Sequence, residues 1–412
     1  MIFLPGRKQM TGFHHMVSLE EATSRMLSVK WKKTDHSILK ADDCFGLISN
    51  SALFAARDVP DQRISAVDGY AIRSLDTLEI DATTTRDIPI SGISEAGKRF
   101  SGSVPPGTCC EIYTGAPVPD ECDSVFMAED VLRHGNSIRI SEKIQSGKNV
   151  RPKGEDLKAG SLIASPGDLL NSYRIAACIS SGITEIDVLH PIKVSVVSTG
   201  DELMEGSERR IANSSQTLFV NYFNRRWLNF SAAGVCPDDP DIIKSKIENT
   251  LSSSDIVVVT GGTSLGMKDL VPEAMHEIGR TIFAGINMRP GRTITLYEAY
   301  GKPVFSVSGL PGPGLTSFET LFEIFISEYL KINAVRRTVP AIASEDIELR
   351  KNTTNLKRVK IEFRKDGVYF QPIPRSGLYS LLESDGVIQT DPESGHISRG
   401  DVLPVKINGW GV

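Results

Sequence analysis

The sequence predicts a multidomain α/β-plus-β protein centred on a mostly parallel sheet with helices on both faces. Three observations carry that reading. Residues 192–330 alternate short apolar runs with helical patterns, the βαβα order of a parallel sheet. Within them, 256–259 is a β-branched run without alternation, as a central strand buried on both faces requires. Polar or glycine-rich loops then follow successive strands at 199–202, 260–269, 287–292 and 309–314, and ligands of such sheets bind beyond these carboxyl ends.

Taken in order, Ser18-Leu-Glu-Glu21 is a capping box ahead of a helix to about Val29. Residues 42–54 read as a second helix packed on it. Ile64-Ser-Ala-Val-Asp-Gly-Tyr-Ala-Ile72 sets small residues around Asp68, and Gly69 permits a backbone geometry that other residues resist. Taken alone, Asp68-Gly69 is a turn dipeptide. From 75 to 144 the pattern changes to short strands punctuated by Gly and Pro, a small all-β module inserted between helical segments. Asn149-Val-Arg-Pro-Lys-Gly-Glu-Asp156 carries two cations and two anions, which as a solvated turn would add little stability. A helix over 172–181 ends at Gly182, suited to the C′ position.

The central region opens with a strand at 194–198 and the loop Thr199-Gly-Asp-Glu202. The next helix carries Phe219, Tyr222, Phe223 and Trp227 on one face, which reads as core. A strand at 232–236 and a helix with Ile243, Ile247 and Leu251 lead back to the 256–259 strand. The glycine loop after it precedes a helix with Pro272 in its first turn. Such a loop leaves backbone N–H groups free for an anion; a tight βα turn that binds nothing is the alternative. Strands at 282–286 and 304–307 and a helix to about 330 complete the region. From 339 onward, short strands and turns suggest a separate β barrel or sandwich.

Bulk properties exclude several classes. At 412 residues the chain exceeds one core. A net charge of −5 speaks against a nucleic-acid face driven by bulk charge. No apolar run is long enough to span a bilayer, and the N-terminus lacks a signal-peptide pattern. The 6 cysteines show no C-x-x-C pairing, as expected of reduced thiols in a cytoplasmic protein. The 7 histidines are scattered, against a transition-metal site built by the protein.

Several stretches, in order, resemble the molybdopterin molybdenumtransferase family, which includes MoeA and the gephyrin E domain. They are Ser65-Ala-Val-Asp-Gly-Tyr-Ala71, Tyr113-Thr-Gly-Ala-Pro-Val-Pro119, Asn149-Val-Arg-Pro-Lys-Gly-Glu-Asp156 and Ser198-Thr-Gly-Asp-Glu-Leu203. Gly261-Gly-Thr-Ser-Leu-Gly-Met-Lys-Asp269, Met288-Arg-Pro-Gly-Arg292 and Arg375-Ser-Gly-Leu-Tyr-Ser380 continue the series. The resemblance implies a helical linker domain split over 18–73 and 145–190, an inserted β domain at 74–144, a three-layer α/β domain at 191–332 and a β barrel at 339–412. It also implies an elongated homodimer whose cleft joins the α/β domain of one subunit to the inserted region of the other. The implied reaction takes adenylylated molybdopterin and molybdate (or tungstate), cleaves the adenylate with Mg²⁺ assisting, and leaves the metal on the dithiolene. An upstream molybdopterin adenylyltransferase and downstream molybdoenzymes are the implied partners, with no nucleic acid or membrane.

The residue chemistry fits that expectation. Gly261, Gly262, Ser264 and Gly266 offer N–H groups and a hydroxyl to a phosphate ester; Arg289 and Arg292 offer cations where the family usually has lysines. Asp269 and Glu202 are the expected Mg²⁺ ligands, because a hard cation prefers oxygen. Asp68 and Asp156 match the other acidic positions, suited to metal ligation or proton transfer. Molybdate calls for donors, with Arg151 first and the hydroxyls of Thr114 and Ser376 after it. Three elements depart from the family: Leu310-Pro-Gly-Pro-Gly314 replaces Leu-Pro-Gly-Asn-Pro, Asn213-Ser-Ser215 replaces Asp-Ser-Asn, and Asp61-Gln-Arg-Ile64 replaces a Pro-rich aromatic lead-in. A non-catalytic scaffold or pterin carrier is therefore the alternative.

Overall fold

A computed structural model of the chain describes residues 16–81, 83–98, 100–208, 210–262, 270–333 and 336–409. At its centre lies a six-stranded sheet in the order Leu228–Cys236, Ile192–Thr199, Ile256–Thr260, Lys302–Val307, Thr295–Ala299, Arg280–Ala284. The first four strands are mutually parallel. Thr295–Ala299 runs antiparallel to both its neighbours, so Arg280–Ala284 points the same way as the first four. The loops after residues 199, 260, 284 and 307 therefore emerge along one edge, which is what assembles the site.

Neighbouring residues of the central strands enter two different cores, the consequence of the two-residue period of a strand. Val194, Val196, Ile256 and Val258 pack with helices Ser214–Phe223 and Pro311–Ile324. Val197, Val257 and Val259 pack with helices Pro240–Leu251 and Leu270–Ile278. Phe223 stacks on Phe230 at 4.9 Å and Phe318 on Phe322 at 4.8 Å, so the bulky residues of this region are core. Trp227 is buried too, but beyond the helix, which ends at Phe223.

Half of the expected capping box forms: the Glu21 carboxylate accepts from Arg25, but Ser18 Oγ accepts from Glu21 N at 3.0 Å and starts helix Leu19–Ser28. Its buried Leu19, Ala22 and Met26 join the α/β core together with Phe283 and Ile286. The second helix expected over 42–54 is absent. A single 3₁₀ turn at Ala41–Asp43 gives way to strands Ile48–Ser49 and Leu53–Phe54, and Gly46 stands at φ 75°. Those strands are fixed by distant partners, Glu185–Leu189 and Leu162–Ala164, so the segment 32–66 and 145–190 is largely β with one helix, Ser172–Ser180. That helix ends as expected at Gly182, with φ 92°.

The inserted β domain is a six-stranded sheet that includes Gly69–Ile72, five residues earlier than its expected start at 74. Gly69 is not left-handed. It is required because a Cβ there would lie 1.8 Å from the carbonyl oxygen of Phe126 on the paired strand. At the C-terminus, Thr338–Ala343, Thr354–Arg364, Gly367–Pro372, Gly386–Gln389 and Val402–Ile407 close into a five-stranded barrel through the pairing of the second strand with the fourth. Met288–Arg289 adds to this barrel in parallel register with Thr354 and Asn355, tying the 288–292 loop to it.

A buried ionic network holds barrel and sheet domain together. Arg336 Nη1 lies 2.8 Å from Glu319 Oε1 and its Nη2 donates to Glu323 Oε2 at 2.8 Å. Arg358 Nη2 donates to Glu319 Oε2 at 3.2 Å and Lys406 Nζ to Glu323 Oε2 at 3.0 Å. Tyr222 also donates to Glu319; burial, then that carboxylate, pushes its phenol up to about 12.

Candidate active site

Two cavities open at the carboxyl edge of the sheet. The first, about 620 Å³, is built from the ends of strands Ile192–Thr199 and Ile256–Thr260 and the starts of helices Ser214–Phe223 and Pro311–Ile324. Its wall includes Thr199, Glu202, Asn213, Gly261, Gly262 and Arg292. The glycines are needed: Gly261 has φ 99°, and a Cβ on it would stand 2.4 Å from the Thr199 carbonyl oxygen. Asn213 caps helix Ser214–Phe223 by accepting from Gln216 N at 3.2 Å. Pro311 sits in the first turn of its helix, where a missing N–H costs nothing. The altered Leu310-Pro-Gly-Pro-Gly314 thus forms a helix start, in which Gly312 lies so close to Gly377 that a Cβ would be 3.1 Å from its Cα.

The second cavity, about 860 Å³, lies between the sheet domain and the barrel. Arg289, Arg292, Arg350, Lys357, Arg358 and Arg375 face it, with Glu348 as the one carboxylate among the described lining residues. Of these cations, Arg358 alone has a carboxylate partner among the described residues, Glu319. Burial, then the like charges of Arg350 and Arg292, pull the Arg289 guanidinium below its ordinary value. Cations held against one another with so little acid nearby are the mark of an anion site. Arg292 lines both cavities.

The structure brings together Glu202, Gly261, Gly262 and Arg292 in the first cavity, and Arg289, Arg292 and Ser376 in the second. Ser264, Gly266 and Asp269 lie outside the described residues. The other four form a separate group lining neither cavity. Asp68 accepts from Thr114 N at 2.7 Å and from its hydroxyl at 2.9 Å; the backbone N–H, then the hydroxyl, hold this exposed carboxyl below its usual range. Arg151 donates to Glu155 Oε2 at 2.7 Å and to Asp156 Oδ1 at 2.5 Å. So the Arg151 and Thr114 donors, expected to meet an oxyanion, are engaged by carboxylates within the chain. Strand pairing of Arg151 with Ile64 and Val150 with Ser65 puts this pair next to the 65–71 motif.

Glu202 stands exposed in the wall of the first cavity, which also includes the hydroxyl residues Ser214 and Ser308, and all three carry oxygen of the type a hard cation takes. Asp201 is turned away, accepting from Asp238 N at 3.0 Å. Among the described residues no group of three or more His, Cys, Asp or Glu is placed to hold a metal ion. One carboxylate fits an Mg²⁺ that is held jointly with ligand phosphates, not one caged by protein alone.

Sequence reasoning missed Arg350, Lys357, Arg358 and Arg375 as an anion-facing set, although the motif containing Arg375 drew notice. Three of them lie in or near a barrel strand that carries no loop signal. All six cysteines are buried and unpaired. Among the described residues no helix is long and apolar enough to cross a membrane.

A family model described as the MoeA N-terminal region (domain I and II) matches residues 17–182, and one described as a probable molybdopterin binding domain matches 195–331. A putative molybdopterin biosynthesis protein of Methanocaldococcus jannaschii is 27% identical over 375 residues, covering 87% of this chain and 89% of that protein. A molybdopterin molybdenumtransferase of Haemophilus influenzae is 26% identical over 408 residues, 95% of this chain and 98% of the relative. Among solved structures, the molybdopterin biosynthesis MoeA protein of Pyrococcus horikosii aligns with a TM-score of 0.78 at 26% identity, over 95% of this chain and 99% of that one.

Proposed function

The chain belongs to the MoeA family, and from that premise we propose that it is a molybdopterin molybdenumtransferase acting in molybdenum cofactor biosynthesis. It takes adenylylated molybdopterin and molybdate or tungstate, cleaves the adenylate, releases AMP and leaves the metal on the dithiolene. One observation carries the reading: a glycine-turn cavity and a guanidinium-lined cavity adjoin and share Arg292. The first suits the phosphate ester, the second the oxyanion, and Arg292 touches both.

The glycine turn suits the phosphate ester because Gly261 and Gly262 bring backbone without side chains to the cavity wall. Glu202, with Asp269, would hold Mg²⁺ against the ligand phosphates. When bound, that ion supplies Lewis-acid polarisation of the bridging phosphate. Arg289, Arg350 and Ser376 hold the oxyanion by charge and hydrogen bonding, and Arg292 neutralises charge where the two substrates meet. The test is AMP release by the full chain with adenylylated molybdopterin, Mg²⁺ and each oxyanion in turn. Release no greater than that of Asp269→Ala would end the catalytic reading; retention of the pterin without AMP release would leave a carrier.

The protein works as a cytoplasmic homodimer in this reading. Asp68, Thr114 and Asp156 are exposed yet line neither cavity of their own chain, which supports a role in the partner's cleft. Asp68→Asn and Arg292→Gln are each expected to silence the enzyme. Randomly mixed dimers of the two should regain about a quarter of wild-type AMP release, because half carry one intact cleft of two. No recovery would place Asp68 in the cleft of its own chain and end the shared-cleft reading.

A further inference from the structure

Two buried polar atoms in the wall of the first cavity have no partner among the described residues: Thr199 Oγ1 and Asn213 Nδ2. Thr199 is only 2% exposed. Folds rarely leave such atoms unpaired, because desolvation without a hydrogen bond costs free energy; where they persist, a ligand is one natural partner.

The chemistry fixes what each atom offers. Asn213 Oδ1 accepts from Gln216 N and from Ser198 Oγ, both at 3.2 Å. A backbone N–H can only donate, so the amide oxygen must face the helix and the amino group is the free end. Asn213 therefore presents a fixed donor with two hydrogens. Thr199 Oγ1 lies beneath the glycine turn: a Cβ on Gly262 would stand 2.9 Å from it and one on Gly261 3.1 Å. Helix Ser214–Phe223 begins at Asn213 and adds the positive end of its dipole, and Arg292 lines the same cavity. Against these donors stands one carboxylate among the described lining residues, Glu202.

We propose that Thr199 and Asn213 are specificity-determining residues that read a phosphoryl group of the ligand in the first cavity. The assignment rests on the phosphate-ester reading above and goes further by naming which side chains recognise the group. Asn213 serves two ends at once, its oxygen capping the helix and its nitrogen binding the ligand. Thr199 receives the ligand's oxygen from the floor of the glycine turn.

The two roles separate by substitution. Asn213→Asp keeps a good N-cap oxygen but replaces the donor with a charged acceptor. Thr199→Val keeps the shape and removes only the unpaired hydroxyl. The measurement is calorimetric titration of the full chain with AMP and, separately, with adenosine, alongside thermal melting. Wild type should bind AMP at least about tenfold tighter than adenosine, as charge-assisted hydrogen bonds predict. Asn213→Asp should weaken AMP about tenfold or more and leave adenosine within about twofold. Thr199→Val should weaken AMP about fivefold while its melting temperature holds or rises, because no internal hydrogen bond is lost. Equal losses for AMP and adenosine would overturn the proposal, as would a marked fall in the Thr199→Val melting temperature. AMP binding that ignores both substitutions overturns this inference alone, whereas a wild-type chain that binds no AMP overturns the phosphate-ester reading as well.

Discussion

Arg292→Gln is expected to lower kcat/KM for AMP release by about 10²–10³, the loss typical of one preorganised donor at a developing charge. The size follows from position. Arg292 lines both cavities, and it has no carboxylate partner among the described residues. A guanidinium not spent on an internal ion pair is free to give its charge to substrate. Its loss therefore acts on the phosphate ester and on the oxyanion together. Steady-state kinetics with each substrate varied in turn checks this, with Arg292→Lys as the partner variant, since charge without the bidentate fork should recover part of the rate. If only one substrate's KM moves, Arg292 serves a single cavity and the shared-cation account is wrong.

Glu319→Ala is expected to destabilise the chain by about 3–5 kcal/mol, the usual consequence of removing one partner from a buried ion network. The mutation takes one of two carboxylate partners from Arg336 and the one carboxylate partner of Arg358, whose side chains are 1% and 6% exposed. Burial opposes the Arg336 charge, and Glu319 and then Glu323 outweigh it, so the guanidinium titrates above its ordinary value while both remain. Removing Glu319 also frees Arg358 from the one carboxylate that fixes it in the wall of the second cavity. Urea unfolding measures the effect. The exposed pair Lys244–Glu277 supplies the contrast, because breaking it should shift stability by less than about 1 kcal/mol. A Glu319→Ala shift as small as that would mean the network is not what joins barrel to sheet.

The two substitutions also mark where sequence reasoning reached and where it stopped. Arg292 was legible, since it follows a strand in a Pro-Gly loop and belongs to a recognisable motif. Glu319 was not. It sits inside a helix whose pattern says only that the helix is buried, and its partners lie 17 and 39 residues away along the chain. The same divide runs through the site. The glycines at 261 and 262 announced a tight turn after the strand, and their left-handed φ values of 99° and 63° are ones that favour glycine. Gly69 read as a residue freed for an unusual φ or a turn, yet its reason is the close carbonyl of Phe126 on the paired strand. Arg151 and Arg292 look alike in sequence, but one is paired with Glu155 and Asp156 and the other has no carboxylate partner among the described residues.

By itself the sequence determined the alternation of strand and helix over 192–330, the helix ends at Ser18 and Gly182, and the family motifs. Each of these is encoded within a few neighbouring residues, where periodicity, capping and φ preference act. Only the tertiary structure decided that 42–54 is strand and not helix, that barrel arginines meet the 289–292 loop, and that Thr199 and Asn213 keep unpaired atoms at one cavity wall. Those outcomes depend on which distant segments meet, and a contact across a hundred residues leaves no local period in the chain.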